Sequence, residues 1–221
     1  MPCFGGFHWS FLVDPASSWE QVAPLMKNRT TTIDRATRET DISCTLNIDG
    51  EGKASIDTGI GFFDHMLEAW TKHSLFDLTL TCKGDLHVDD HHTVEDVGLV
   101  LGQAIDACIG DKVGINRYGW FFLPMDEALS RVALDLGGRP FFVYSIANRR
   151  RKIGTFDLTL FEEFWRAFST TAKMNLHIAH LYGKDPHHAH ESVFKGVARA
   201  LKMAVERDAR VKGVPSSKGA L

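Results

Sequence analysis

Two pentads, His91-His92-Thr93-Val94-Glu95 and His187-His188-Ala189-His190-Glu191, share an HHxxE frame 96 residues apart. The match continues downstream at that spacing. Val97 faces Val193, Leu101 faces Val197, Ala104 faces Ala200, Ile105 faces Leu201, Cys108 faces Ala204 and Ile109 faces Val205. These positions run i, i+4, i+7, i+8, i+11, i+12, the buried stripe of an amphipathic helix. A chain that repeats itself in this way is expected to fold as two related units. Upstream the agreement is looser: Phe63-Asp64-His65-Met66 stands against Phe161-Glu162-Glu163-Phe164 at a spacing of 98. Each half reads as strands, helix, alternating strand, helix. Patterning predicts strands over Ile42–Ile48, Leu75–Cys82, Trp120–Leu123, Ser130–Leu136, Phe141–Ile146 and Met174–Leu181. It predicts helices over Gly61–His73, Thr93–Ile109, Leu160–Thr171 and Ala189–Arg207. Strands and helices mix without strict βαβ alternation, so the class is α+β, internally duplicated.

Such a unit needs a core, and 221 residues with 44% hydrophobic and 24% charged side chains supply one. The net charge of −3 excludes a generally basic nucleic-acid binder. No apolar run approaches the ~20 residues of a membrane-spanning helix, so no membrane partner is expected. Cys3, Cys44, Cys82 and Cys108 are widely spaced, with no CxxC, and read as reduced thiols of a cytoplasmic protein. Residues 1–25 contain no Lys or Arg, unlike a signal or transit peptide, and read as a dispensable N-terminal extension. The two half-domains are then 26–114 and 115–221, the second ending in an irregular tail.

The histidines number 11, and they cluster. On a helix, residues at i and i+3 or i+4 share a face, so His91 or His92 can share one ion with Glu95, and His187 or His188 with Glu191. Adjacent residues point ~100° apart, so each His pair suits two metals, one imidazole to each. His65 and its repeat counterpart Glu163 bring the potential ligands to eight. One HHxxE alone would read as the polar start of a helix; two at matched positions argue for a metal. Imidazole with carboxylate and no thiolate suits Mn, Fe, Ni or Zn, Zn least. HExxH, GxSxG, a P-loop and GxGxxG are all absent, which argues against a zincin, a serine hydrolase or a nucleotide cofactor. Arg117, Arg139, Lys195 and the Ser216-Ser217-Lys218 tail lie in turns or at element ends. Singly each reads as solvated charge; together they suggest capture of a phosphate or carboxylate.

Longer stretches carry a resemblance. Thr58-Gly59-Ile60-Gly61-Phe62-Phe63-Asp64-His65-Met66-Leu67, Asp89-Asp90-His91-His92-Thr93-Val94-Glu95-Asp96-Val97-Gly98, Pro124-Met125-Asp126-Glu127-Ala128-Leu129 and Pro215-Ser216-Ser217-Lys218-Gly219 are similar to motifs of the imidazoleglycerol-phosphate dehydratase family. The resemblance runs from Arg29 to Leu221. It implies a four-stranded sheet and two helices per half, and a homo-oligomer of 24 subunits built from trimers. It also implies two Mn2+ per active site, other divalent transition metals being alternatives. The implied metal ligands are His65, His91, His92, Glu95, Glu163, His187, His188 and Glu191; Glu163 stands where many relatives have histidine. The implied substrate contacts are Glu39, His65, Arg117, Arg139, Lys195, Ser217 and Lys218, and Glu39, His92, Glu95, His188 and Glu191 are implied in catalysis. Ala69 and Gly137 stand where the family usually has glutamine and often has serine. The implied reaction is metal-dependent dehydration of imidazole glycerol phosphate to imidazole acetol phosphate in histidine biosynthesis. The alternatives are a binuclear metallohydrolase of a phosphorylated small molecule and a non-catalytic, metal-assembled shell.

Overall fold

The computed structural model describes residues 29–146 and 151–220. The extension 1–25 lies outside them, as do Arg149 and Arg150 of the cationic run Arg149-Arg150-Arg151-Lys152. The first half runs β1 (Thr30–Ala36), β2 (Thr40–Asn47), β3 (Ala54–Asp57), α1 (Gly61–Ser74), β4 (Asp77–Gly84), α2 (His91–Ile109). The second runs β5 (Tyr118–Met125), β6 (Ala128–Asp135), β7 (Phe141–Ser145), a two-stranded hairpin β8 (Lys152–Ile153) and β9 (Phe156–Asp157), α3 (Leu160–Thr171), β10 (Asn175–Tyr182), α4 (Pro186–Val205). The two four-stranded sheets have matching orders, β1-β2-β4-β3 and β5-β6-β10-β7. In each, one pair is parallel, β3 with β4 and β7 with β10, because a helix crosses between them. The α+β duplication read from the sequence is thus the architecture.

The helices exchange partners between halves: α2 packs along α3, and α1 along α4. Gly98 and Gly102 make the first of these contacts close, since a Cβ there would stand 2.6 Å from the Phe164 carbonyl oxygen and 2.4 Å from that of Phe168. The apolar stripe of α3, Phe161, Phe164, Trp165 and Phe168, is fully buried with Phe63, Trp70 and Phe194. Each such side chain contributes about 2 kcal/mol of transfer free energy on burial. The stripe residues matched across the repeat, Val97 to Ile109 and Val193 to Val205, are buried as well. Cys44, Cys82 and Cys108 are buried free thiols; burial pushes Cys44 up to about 12 and the other two to about 11.

Several boundaries differ from the sequence expectation. The edge strands β1 and β3 were not expected, because they turn only half-buried side chains inward (Thr31, Ile33 and Arg35; Ile56) and give no apolar alternation. Leu75 takes a left-handed conformation (φ 61°) that ends α1, so β4 begins at Asp77 instead of Leu75. The helices α2 and α4 start at His91 and Pro186, earlier than Thr93 and Ala189, since histidines add nothing to an apolar stripe. Asp185 sets the α4 start: its carboxylate accepts the His187 backbone N–H at 2.7 Å, and Pro186 follows it. Both HHxxE frames therefore lie in the first helical turns.

Candidate metal centre and anion end

The packing of α1 on α4 sets His65 against the first turns of α4. His65 Nε2 is 3.6 Å and His187 Nε2 is 2.9 Å from the same oxygen, Glu191 Oε2. The ligand atoms of these three residues all lie within 4.8 Å of one another. Lys195, one turn along α4, holds the other oxygen, Glu191 Oε1, at 2.7 Å. The buried carboxylate thus offers one oxygen to the imidazoles and keeps the other on a cation. Burial alone would raise the Glu191 carboxyl, but Lys195, helped by His187 and His65, offsets this and holds it below its ordinary value. Two imidazoles and an ionised carboxylate fit a divalent transition metal.

The first half is less complete. His91 Nε2 stands 3.4 Å from Glu95 Oε2, one turn along the same helix. Glu163 instead meets the Arg166 guanidinium at 3.4 Å. The two rings of each histidine pair diverge, with interplanar angles of 80° for His91 and His92 and 74° for His187 and His188. His92 places Nδ1 3.0 Å from Asp85 and Nε2 3.8 Å from Glu39. His188 places Nδ1 2.8 Å from Glu127 and Nε2 3.6 Å from Asp126. Hydrogen bonding to Asp85 and to Glu127, respectively, raises both imidazoles above their ordinary value. Reciprocally, His188 holds the Glu127 carboxyl down at about 2. Of the eight candidate ligands, one chain brings three together and pairs two more; Glu163, His92 and His188 face other partners.

The anion candidates sit elsewhere. The Arg117 guanidinium is clamped by Asp135 at 2.6 and 3.0 Å and donates to the Pro215 carbonyl, beside Ser217 and Lys218 in the tail. Its backbone N–H bonds the Ala204 carbonyl, at the C-terminal end of α4. Arg139 lies at that end too, its carbonyl accepting from Asn175 at the start of β10. The helix α4 has 20 residues, so its ends are about 30 Å apart. Within one chain, then, Arg117 stands about 20 to 25 Å along α4 from Glu191, His188 and His187. Lys195 belongs with the metal candidates and Glu39 with His92.

Asp85, Asp126 and Glu127 were not singled out as site residues. One signal was available for Glu127. The register of β1 on β2 and of β5 on β6 relates Thr30 to Tyr118 and Asn47 to Asp135, a spacing of 88 that carries Glu39 onto Glu127. His177 stacks on Phe141 on the exposed face of β10, and His180 meets Ser130 at 3.3 Å.

No helix among the described residues is long and apolar enough to cross a membrane. The family model described as imidazoleglycerol-phosphate dehydratase matches residues 58–201. An imidazoleglycerol-phosphate dehydratase from Methylorubrum extorquens is 55% identical over 194 residues, spanning 87% of this chain and 100% of the relative. The crystal structure of the Staphylococcus aureus imidazoleglycerol-phosphate dehydratase matches with a TM-score of 0.73 and 36% identity, over 81% of this chain and 99% of that one. The Pyrococcus furiosus enzyme in complex with (S)-C348 matches with a TM-score of 0.74 and 32% identity, over 86% and 100%.

Proposed function

The chain belongs to the imidazoleglycerol-phosphate dehydratase family, and from that premise we propose a metal-dependent active site that two copies of the chain complete between them. As a member, the chain is a hydro-lyase of histidine biosynthesis that acts on a small phosphorylated substrate. The observation that carries the finer reading is the separation along α4: metal ligands at its N-terminal end, phosphate-binding candidates at the other. A substrate a few bonds long cannot span about 20 Å, so the anion end of one copy must meet the metal end of another.

In this reading His65, His187 and Glu191 hold one Mn2+, and His91, His92, Glu95, Glu163 and His188 complete the two-metal set across copies. Such ions supply Lewis acidity toward the imidazole ring of the substrate. The protein side of the chemistry falls to named groups. Arg117, Arg139, Ser217 and Lys218 hold the phosphate and fix the carbon chain. Glu39, beside His92, takes the C2 proton, which leaves with the C3 hydroxyl as water, and the enol formed becomes the ketone of imidazole acetol phosphate. Lys195 keeps Glu191 ionised. The copies assemble as a cytoplasmic homo-oligomer, 24 chains built from trimers. Trp120, Phe122, Phe141 and Val143, exposed on the outer face of the second sheet, suit one of its contacts. The catalytic unit is the pair of half-domains 26–114 and 115–221, with 1–25 outside it.

Complementation tests the shared site. His187→Ala and Arg117→Ala chains are each expected to be inactive with Mn2+. Unfolded together in equal amounts and refolded, they should recover about a quarter of native turnover, the fraction of sites with both ends intact. Ketone formation from imidazole glycerol phosphate is the readout, with a chelated control. Co-assembly with no recovery would overturn the shared site. Phosphate release in place of ketone would mark a metallohydrolase, and assembly without turnover a shell.

A further inference from the structure

The turn between β5 and β6 is two residues long, Asp126-Glu127, between the paired Met125 and Ala128. Asp126 adopts φ 47°, an uncommon value for a residue with a side chain. Both of its carboxylates face α4. Glu127 Oε1 accepts the backbone N–H groups of Lys184 at 3.0 Å and Asp185 at 2.7 Å, while Oε2 lies 2.8 Å from His188 Nδ1. Asp185 is the residue whose own carboxylate caps α4. Glu127 is therefore joined at once to the entry of the ligand-bearing helix and to one of its histidines.

We propose that Glu127 is a positioning residue for the metal centre, fixing His188 in the tautomer whose Nε2 is free to ligate, and that Asp85 does the same for His92. The assignment rests on the metal reading above. An ionised carboxylate only accepts, so the hydrogen must sit on Nδ1 and the lone pair on Nε2. With Oε1 occupied by two backbone N–H groups, Oε2 is the atom that His188 meets. Asp85 approaches His92 Nδ1 with both oxygens, at 3.0 and 3.2 Å.

The two halves reach this arrangement from unrelated positions. Glu127 comes from a strand turn, whereas Asp85 follows β4 and precedes α2. The repeat counterpart of Glu127 is Glu39, which stands on the opposite side of its imidazole, nearest Nε2. A carboxylate on Nδ1 is thus not a relic of duplication, since the duplicated residue does something else in the first half. The constraint on the imidazole recurs while its source does not, as expected where ring orientation is what matters.

Glu127→Gln separates positioning from support. The amide oxygen keeps the bonds to Lys184 and Asp185, which turns the amide N–H2 toward His188 Nδ1 and moves the ring hydrogen to Nε2. Mn2+ affinity, read by electron paramagnetic resonance titration, should weaken about 10- to 100-fold while the melting temperature of the metal-free chain stays near native. Asp85→Asn has no second partner among the described residues to fix its amide, can turn its oxygen to His92, and should bind Mn2+ close to normally; Asp85→Ala should not. In a His188→Ala background Glu127→Gln should cost no further affinity, whatever it does to stability. Native affinity in Glu127→Gln, or an undiminished cost in the His188→Ala background, would overturn the assignment. A native chain that takes up no Mn2+ would sink the metal reading instead.

Discussion

The two sheets share strand order and pairing, yet their outward faces have opposite character. Across the first sheet one row reads Thr32, Thr45, Thr79, Ser55; in the same place on the second it reads Trp120, Ala133, His177, Val143. The next row is Asp34, Ser43, Thr81, Asp57 in one and Phe122, Arg131, Ala179, Ser145 in the other. Trp120 is 58% exposed and Phe122 54%. The inward faces remain alike: Cys44, Leu46, Leu78 and Leu80 correspond to Val132, Leu134, Leu176 and Ile178, all buried. Duplication keeps what the shared helical layer requires and frees what lies beyond it. A mostly antiparallel sheet with one face satisfied can meet water or another surface with the other. The polar rows of the first sheet suit water; the aromatic row of the second suits a protein contact.

Placing a charge in the same row of each sheet breaks this comparison most directly. Trp120→Glu removes an aromatic anchor and buries an unpaired carboxylate in any contact there, costing about 2 to 4 kcal/mol per interface. Sedimentation velocity should show smaller species, with turnover falling in step if, as proposed, two copies complete the active site. Thr32→Glu should leave both unchanged. If Trp120→Glu sediments as the native protein does, the aromatic face is not a contact and the two sheets differ for another reason.

Inside the molecule the halves also differ at matched positions, with a smaller consequence. Asp96, 7% exposed, accepts from Arg35 and from Thr40 Oγ1, each at 2.5 Å. Its repeat counterpart Ser192 meets Ser130 Oγ at 2.6 Å and donates to the Ala189 carbonyl. Asp96→Ala leaves a guanidinium and a buried hydroxyl without their acceptor. Arg35 is 30% exposed and regains some water, so the expected loss is about 2 kcal/mol, less than for a fully buried pair. Ser192→Ala should cost about 1 kcal/mol, an ordinary hydrogen bond. Urea unfolding of metal-free chains checks both, and equal losses would deny that the ionic clamp matters more.

What could be read without coordinates follows the same physics. The helix α3 was expected over Leu160–Thr171 and found there, because Phe161, Phe164, Trp165 and Phe168 mark one face at helical spacing. Two HHxxE frames revealed the duplication, and the His187–Glu191 contact follows from their i, i+4 spacing. The strands β1 and β3 stayed hidden since an edge strand with half-buried side chains lacks a pattern. Asp85 and Glu127 were hidden for a different reason: a carboxylate in a turn looks solvated until the helix it touches is placed. The distance between Arg117 and the histidines was equally invisible, being set by the length of α4 and by which of its ends β5 starts from.

The smallest expected effect compares His190 with its repeat counterpart Val94, both fully buried. Burial, helped by His180, pushes the His190 imidazole down to about 3, from an ordinary 6.5. The unfolded chain therefore takes up a proton near 6.5 that the folded chain refuses until about 3. Between those values the unfolded state binds more protons, so folding stability rises with pH. His190 should cost nothing at pH 7 and progressively more as pH falls below 6.5. His92 and His188, raised by their carboxylates, act with the opposite sign, but they are common to both chains and cancel in the comparison. His190→Val makes the second half resemble the first at this position. The slope of unfolding free energy against pH between 4 and 6.5, measured on metal-free chains, should flatten in the variant. The slope is the proper readout, since valine is smaller and shifts the absolute stability by packing alone. An unchanged slope would mean that another group carries the acid sensitivity of the fold, and that the buried histidine is as indifferent to pH as the valine that replaces it.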